Sequence, residues 1–227
     1  MNSLGLYVVC LGIPLVIGLW TQHRVKSTFQ QWSEVPEDTG MTGAEVARRI
    51  LDANGLQSVP VQGVAGALTD HYDPRTRSVN LSEPVYAAAT ISSTAVAAHE
   101  VGHAIQHAKA YVPMTVRSAL WPVTSFASST WTILLLIGAI MGALNLVLAA
   151  IVLYAAVVLF QIVTLPVEFD ASRRAAVQLK TLGIANADES VGVHKVLTSA
   201  ALTYVAGALA ALSQLVFFAL TFLGGRN

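Results

Sequence analysis

Long apolar runs without a charged residue alternate with charged segments along this chain of 227 residues. Residues 1–22, 118–167 and 196–225 contain no charged side chain. Roughly 20 apolar residues in a helix cross a bilayer core, so the first and last runs each predict one membrane span. The middle run would be about 75 Å long as a straight helix, which predicts two spans. A fully buried soluble helix is the alternative for each run, and three such runs in one chain make it the weaker interpretation.

The middle run carries residues near its centre that favour a turn between two helices. These residues are Gly138, Gly142 and Asn145, while Pro122 and Pro166 stand near the two ends of the run. The sequence therefore predicts a helical hairpin in the membrane.

The first run has an alternative interpretation as a cleaved signal peptide. Such a peptide carries positive charge before its apolar stretch, whereas His23, Arg24 and Lys26 follow it here. This order favours an uncleaved anchor with its N-terminus outside the cell.

The basic residues fall almost entirely into two groups. Eight lie between the first and second predicted spans: Arg24, Lys26, Arg48, Arg49, Arg75, Arg77, Lys109 and Arg117. Four more lie between the third and fourth spans: Arg173, Arg174, Lys180 and Lys195. With four spans, both groups lie on one face of the membrane, and basic loops favour the cytoplasmic face. Only Arg226 falls on the other side.

Composition agrees with a membrane protein. The chain is 54% hydrophobic and 11% charged, with a mean hydropathy of +0.60. Its net charge is zero and it has no basic patch interleaved with aromatic residues, so we expect no nucleic-acid partner. Cys10 is the only cysteine and lies in the first span, which excludes an intramolecular disulfide.

The segment between the first and second spans has the pattern of a small α+β region. Thr42 and Glu45 are spaced as a capping box for a helix that Asn54-Gly55 would end. Residues 59–68 and 78–81 have the pattern of short strands on either side of the turn-rich residues 70–74.

The sequence His99-Glu100-Val101-Gly102-His103 carries the candidate chemistry. Two histidines four residues apart share one helix face and can bind a single zinc ion. Glu100, beside them, can take a proton from a water that zinc activates and later deliver it to a leaving amine. This motif indicates peptide-bond hydrolysis.

The residues around the motif favour a helix. They lack proline, with Ser92 or Ser93 as the predicted N-cap and Pro113 beyond the end. The alternative is an alanine-rich core helix with two buried histidines, which costs several kcal/mol unless the histidines are paired or bound to a metal.

A catalytic zinc usually has three protein ligands, so another residue is needed. His107 is a poor candidate because it lies about 12 Å along the helix axis from His99. Glu168 is the better candidate: a carboxylate just past the long apolar run, at the predicted start of another helix.

Four segments resemble the YugP-type family of neutral zinc metallopeptidases of bacterial membranes, over nearly the whole chain. They are His99–Gln106, Leu165–Ala175, Thr69–Pro74 and Ala201–Tyr204. The resemblance implies a gluzincin-like site, related in plan to membrane peptidases of the HtpX and CAAX-protease type. In that site His99, His103 and Glu168 bind Zn²⁺, and Glu100 is the catalytic base.

One position departs from that wider plan. The related peptidases often carry an aspartate four residues after the ligand glutamate, where it orients a histidine, and this chain has Ser172 there. Asp170 faces roughly 200° away from Glu168 on a helix, so we do not expect it to replace that aspartate.

Other site roles have weaker support. His194, Tyr204, His71 and Arg173 are candidates to stabilise an oxyanion or contact substrate. By analogy with zinc peptidases, residues 77–81 could pair with a substrate as an edge strand, and an ordinary hairpin is an equal alternative.

The predicted fold class is a mostly α membrane protein with four transmembrane helices and a small α+β zincin-like cytoplasmic domain. Its predicted segments are a first transmembrane helix at 1–23, the zincin-like domain at 24–117, a transmembrane hairpin at 118–167, a cytoplasmic helical segment at 168–195, and the fourth transmembrane helix with the C-terminus at 196–227.

The predicted function is a zinc metalloendopeptidase of the bacterial inner (cytoplasmic) membrane with its site facing the cytoplasm. The expected partners are the lipid bilayer and a peptide or membrane-protein substrate, while protein regulators and the oligomeric state stay open. One alternative is a catalytically silent zinc-containing scaffold or chaperone. Another is an intramembrane protease, against which the charges at Lys109 and Arg117 argue.

Overall fold

The computed structural model describes residues 3–222, and these residues are mostly helical with one small mixed sheet. The predicted spans at 1–23 and 196–227 reach past this range at their outer ends, and Arg226 lies outside it. In chain order the elements are α1 Ser3–Tyr7, a π-helical turn Val8–Gly12, α2 Ile13–Ser33, α3 Gly43–Ala53, β1 Val61–Val64, β2 His71–Asp73, β3 Ser78–Ser82, α4 Glu83–Tyr86, α5 Ile91–Ala108, α6 Val112–Ile140, α7 Leu144–Thr181 and α8 Ala187–Phe222.

Four helical stretches of the described chain are long and apolar enough to cross a membrane, as predicted. They are Gly5–Ser33, Val112–Ile140, Leu144–Thr181 and Ala187–Phe222. The turn between α6 and α7 falls where the hairpin was predicted, and Gly142 adopts the left-handed conformation there at φ 64°.

The helix α7 is longer than the apolar run that predicted it. We expected Glu168 to open a new helix, and this was wrong, because α7 continues without interruption through Pro166 and Glu168 to Thr181. The residues after Glu168 are rich in alanine and arginine, which favour helix and allow it to extend beyond the apolar run.

The chain folds into two compact units. One unit comprises the residues up to Gln22, Thr115–Pro166 and the residues from Thr203 onward. Its buried cluster includes Cys10, Tyr154 and Phe218. The Tyr154 hydroxyl donates a hydrogen bond to Gln214 Oε1 at 2.9 Å, so α7 and α8 are joined by a polar contact as well as by apolar packing.

The other unit comprises His23–Met114 and Val167–Leu202. Its core brings together α3, the sheet, α5 and the C-terminal part of α7 through buried residues such as Ile50, Leu81, Val101 and Leu179. Helix α5 is buried along most of its length, so its polar residues need partners inside the protein.

Capping residues set the starts of helices α3 and α5 in this unit. The predicted capping box of α3 is confirmed: Thr42 Oγ1 accepts from the Glu45 backbone N–H at 3.3 Å, and Glu45 Oε2 accepts from the Thr42 N–H at 2.8 Å. The predicted N-cap of α5 at Ser92 or Ser93 was wrong, because Thr90 caps this helix and Ser93 completes its capping box from the third helical position.

The sheet has the strand order β1-β3-β2. Strand β3 pairs with β1 in parallel and with β2 antiparallel, so β1 and β3 do not form a hairpin. Residues 71–73, which we expected in a turn, are strand β2, and the turn lies at residues 74–77. Residues 77–81 are not an edge for substrate, because β3 is the central strand and its five residues are buried.

Asp70 links the two antiparallel strands at one end. Its Oδ1 accepts from the Ser82 backbone N–H at 2.7 Å, and both carboxylate oxygens lie 3.0 Å from the Ser82 hydroxyl. Ser82 is fully buried, so both donors depend on this carboxylate.

We expect Asp70→Ala to destabilise the β2–β3 pair by about 1–3 kcal/mol, because it leaves two buried donors unsatisfied. Hydrogen exchange of the full chain in detergent should show a faster-exchanging Ser82 amide. Asp188→Ala, which removes an exposed carboxylate from the first turn of α8, is the control. Unchanged protection in Asp70→Ala would contradict this account of the strand pair.

Candidate metal centre

Helix α5 and the C-terminal part of α7, which belong to one unit, bring three potential metal ligands together. His99 and His103 lie one turn apart on α5, with ring centroids 4.8 Å apart and nearly perpendicular planes. Glu168 projects from α7, 69 residues after His99 in the chain. One ligand atom from each of the three residues lies within 4.8 Å of the others.

The distances from the carboxylate suit a tetrahedral ion. Glu168 Oε2 lies 3.3 Å from His99 Nε2 and 3.5 Å from His103 Nε2. Two ligand atoms bound at about 2.1 Å to a tetrahedral zinc are about 3.4 Å apart. Two imidazoles and one carboxylate form the ligand set of one class of catalytic zinc site, so these residues fit zinc.

Because Glu168, His99 and His103 are buried close together, the charge on each side chain affects the protonation of the others. The Glu168 side chain is 2% exposed, and those of His99 and His103 are 13% and 9% exposed. Burial lowers the pKa of His103, but the Glu168 carboxylate and the nearby Glu100 raise it more, so the pKa of His103 lies above its ordinary value. A buried carboxylate with two imidazoles around it attracts a cation, either a proton or a metal ion.

Gly102 allows the two helices to come close enough for this arrangement. A Cβ atom at Gly102 would lie 2.6 Å from the Ala171 carbonyl oxygen, a distance too short for any side chain. Ala171 is one turn after Glu168 on α7. The glycine inside the motif therefore sets the backbone separation that brings Glu168 to the histidines.

Each histidine also contacts a second residue through its Nδ1 atom. His103 Nδ1 lies 3.0 Å from Gln106 Oε1, and His99 Nδ1 lies 3.2 Å from the Ser172 hydroxyl. Ser172 thus contacts a histidine from the position where related peptidases often carry an aspartate. Its hydroxyl brings no charge to that contact.

Asp170 is connected to His103 through another side chain, although its position on α7 does not suggest such a connection. Gln106 Nε2 donates to Asp170 Oδ2 at 3.0 Å, and Gln106 in turn contacts His103. Arg173 and Arg174 both bind the Asp170 carboxylate. Asp170 thus does not contact a histidine directly in place of that aspartate, but the Gln106 amide connects it to His103.

Sequence reasoning missed Gln106. Its signal was present, since Gln106 follows His103 by three residues and so shares its face of α5. A glutamine in a helix as buried as α5 must find partners inside the protein.

Glu100 is buried, with 8% of its surface exposed. Its carboxylate acts on His103 electrostatically, and among residues 3–222 it accepts no hydrogen bond. A carboxylate next to the ligand group without a protein donor is able to bind the proton of a water or a substrate.

His107 has a different partner. Its Nδ1 lies 2.8 Å from the Tyr72 hydroxyl on β2, so it joins the edge of the sheet to α5. Burial raises the pKa of Tyr72, which keeps this hydroxyl protonated near neutral pH.

The four weaker candidates have varied environments. Arg173 is 72% exposed and bound to Asp170, and His71 is exposed with its Nδ1 2.8 Å from the Thr69 carbonyl oxygen. His194 is exposed on α8, and Tyr204 is half-buried on the same helix but belongs to the other unit. Their roles at an oxyanion or a substrate stay predictions.

Comparison with known proteins identifies the family of this chain. The family described as "Putative neutral zinc metallopeptidase" matches residues 7–223. The chain belongs to this family. It is 49% identical over 222 residues to "Putative membrane protease YugP" of Bacillus subtilis (strain 168), which covers 98% of this chain and 99% of that protein. No solved structure matches the chain at a significant level.

We expect Gly102→Ala to weaken zinc binding at least about tenfold, because the added methyl group forces α7 and Glu168 away from α5. Competition with a chromogenic chelator, on the full chain in detergent, measures this change. Gly18→Ala is the matched control, since a Cβ atom at Gly18 meets no neighbour. Equal zinc affinity in both variants would contradict a requirement for the close approach at Gly102.

Proposed function

We propose that this protein is a zinc-dependent metalloendopeptidase of the gluzincin type. The observation that carries the proposal is the buried group of His99, His103 and Glu168 with the Glu100 carboxylate beside it. Within the described part of the chain, no residue donates a hydrogen bond to the Glu100 carboxylate. Three protein ligands leave one position of a tetrahedral ion for water or substrate, whereas structural zinc usually takes four protein ligands.

His99, His103 and Glu168 would hold the zinc ion. When bound, the ion supplies a Lewis acid that activates water and polarises the scissile carbonyl group. Glu100 accepts the proton that the attacking water releases. It then donates this proton to the nitrogen of the leaving amine, so that one carboxylate serves as base and as acid in turn.

The distribution of basic residues supports a cytoplasmic orientation. With four spans, both basic groups of the sequence share one face, and basic loops favour the cytoplasm. His99, His103 and Glu168 then lie on that same side, and the enzyme cleaves peptides or membrane-protein segments near the inner surface of the bacterial cytoplasmic membrane.

Glu100→Gln should abolish peptide hydrolysis while zinc stays bound, because the amide cannot take a proton from water. We expect activity to fall by about 10²- to 10⁴-fold. The assay is zinc-dependent cleavage of a loosely folded protein by the purified chain in detergent, with zinc content measured for each variant. Glu83→Gln, which neutralises an exposed glutamate on α4, is the control.

Equal cleavage by Glu100→Gln and the native protein would overturn Glu100 as the base. Full zinc occupancy with no cleavage by the native protein, across several unfolded substrates, would favour the silent scaffold or chaperone. Loss of zinc from Glu168→Gln, together with zinc retained in Glu83→Gln, would support Glu168 as the third ligand.

Membrane vesicles of known orientation should test the placement of the site. A protein substrate too large to cross the membrane should be cleaved by inside-out vesicles and spared by right-side-out vesicles. Cleavage only by right-side-out vesicles would reverse the orientation. Protection of the zinc from a membrane-impermeant chelator on both sides would indicate a site within the bilayer.

A further inference from the structure

The hydrogen bonds of Gln106 determine which way its amide group points. Gln106 has no exposed surface, and its Nε2 donates to the Val167 carbonyl oxygen at 2.8 Å and to Asp170 Oδ2 at 3.0 Å. A carbonyl oxygen and a carboxylate paired with two arginines are acceptors only. The NH₂ group of the amide must therefore face them, which leaves Oε1 for His103.

This orientation in turn determines the tautomer of His103. Gln106 Oε1 accepts hydrogen bonds and cannot donate them, so His103 Nδ1, 3.0 Å away, must carry the hydrogen. The lone pair of the neutral ring is then on Nε2, the atom 3.5 Å from Glu168. That is the atom from which the ring would bind a metal.

We propose that Gln106 is a positioning residue that holds His103 in its Nδ1–H tautomer, and that Asp170 holds Gln106 in the orientation this requires. In many zinc sites a carboxylate contacts the zinc-binding histidine directly. Here the Asp170 carboxylate contacts the Gln106 amide, and the amide contacts His103. The tautomer is a property of the protein alone. Only the consequence for zinc affinity rests on the proposed metal site.

The two histidines differ in this respect. The Ser172 hydroxyl at His99 Nδ1 can donate or accept, so it is compatible with either tautomer of His99. Ser172 is therefore the internal comparison for Gln106, because each residue contacts one of two otherwise similar histidines.

The decisive measurement is ¹⁵N NMR of the zinc-free full chain in detergent, with labelled histidine, at a pH where the imidazoles are neutral. The His103 signals are identified by their loss in His103→Gln. We expect a protonated Nδ1 and an unprotonated Nε2 in the native protein. A native His103 with its hydrogen on Nε2 would overturn the proposal without any variant of Gln106.

Variants then test the route through Gln106. Gln106→Met keeps the length of the side chain but loses its hydrogen bonds, and should show mixed His103 tautomers and zinc binding weaker by about 10- to 100-fold. Gln106→Glu combined with Asp170→Asn keeps an acceptor for His103 and supplies a donor to that acceptor, so it should restore the Nδ1–H signal. Ser172→Ala should leave the His103 signals unchanged.

An unchanged tautomer and zinc affinity in Gln106→Met would overturn the role of Gln106. Failure of the double variant to restore the signal would show that an acceptor at position 106 does not determine the His103 tautomer, which also overturns the proposal. A native protein with the Nδ1–H signal but no affinity for zinc would refute the proposed metalloendopeptidase and leave the tautomer assignment intact.

Discussion

The contact between the backbones of α5 and α7 at Gly102 and Ala171 is the constraint on which the candidate site depends. One helix carries both histidines and the other carries the carboxylate, so their separation sets the distance between the ligand atoms. Small residues such as Ala98, Ala171 and Ala175 are buried in the same unit. They allow two polar helix faces to meet without a gap that water would fill.

This close packing also explains why the polar groups are so fully connected. An unpaired polar atom lowers the free energy of unfolding more inside a core than at a surface. Each side chain that satisfies such an atom has further polar atoms, which need hydrogen-bond partners in turn. The series His103, Gln106, Asp170, Arg174 ends at a side chain that still reaches solvent, with 21% of it exposed. The buried site is thus connected to the surface through hydrogen bonds.

Much of this arrangement could be predicted from local patterns. Uncharged runs located the four long helices, and the spacing of His99 and His103 placed both on one face of α5. Glu168 was proposed from its place just past the apolar run and from the family resemblance. Its spacing from the histidines gave no help, since a contact across 69 residues leaves no periodic signal. The hydrogen bonds from Asp170 through Gln106 to His103 were missed for the same reason, because they depend on which residue of α5 lies opposite α7.

The sheet shows the same limit. Short strands were recognised, but the sequence left open whether residues 77–81 form an edge or part of an ordinary hairpin. In the structure β3 lies between β1 and β2, because strand order is decided by packing between distant segments. Residues 71–73 looked like part of a turn and form a strand through pairing with β3 and the link from Asp70 to Ser82.

The distance in sequence between the ligands has a consequence for synthesis. Ribosomes make a chain from its N-terminus, so His99 and His103 exist for some time before Glu168 does, and all of α6 and more than half of α7 must be made between them. A newly made α5 has two of three ligands and cannot close the site. The candidate metal centre can be completed only after α7 has been synthesised as far as Ala171 and has packed against Gly102, so its three ligands cannot act together before that part of α7 exists.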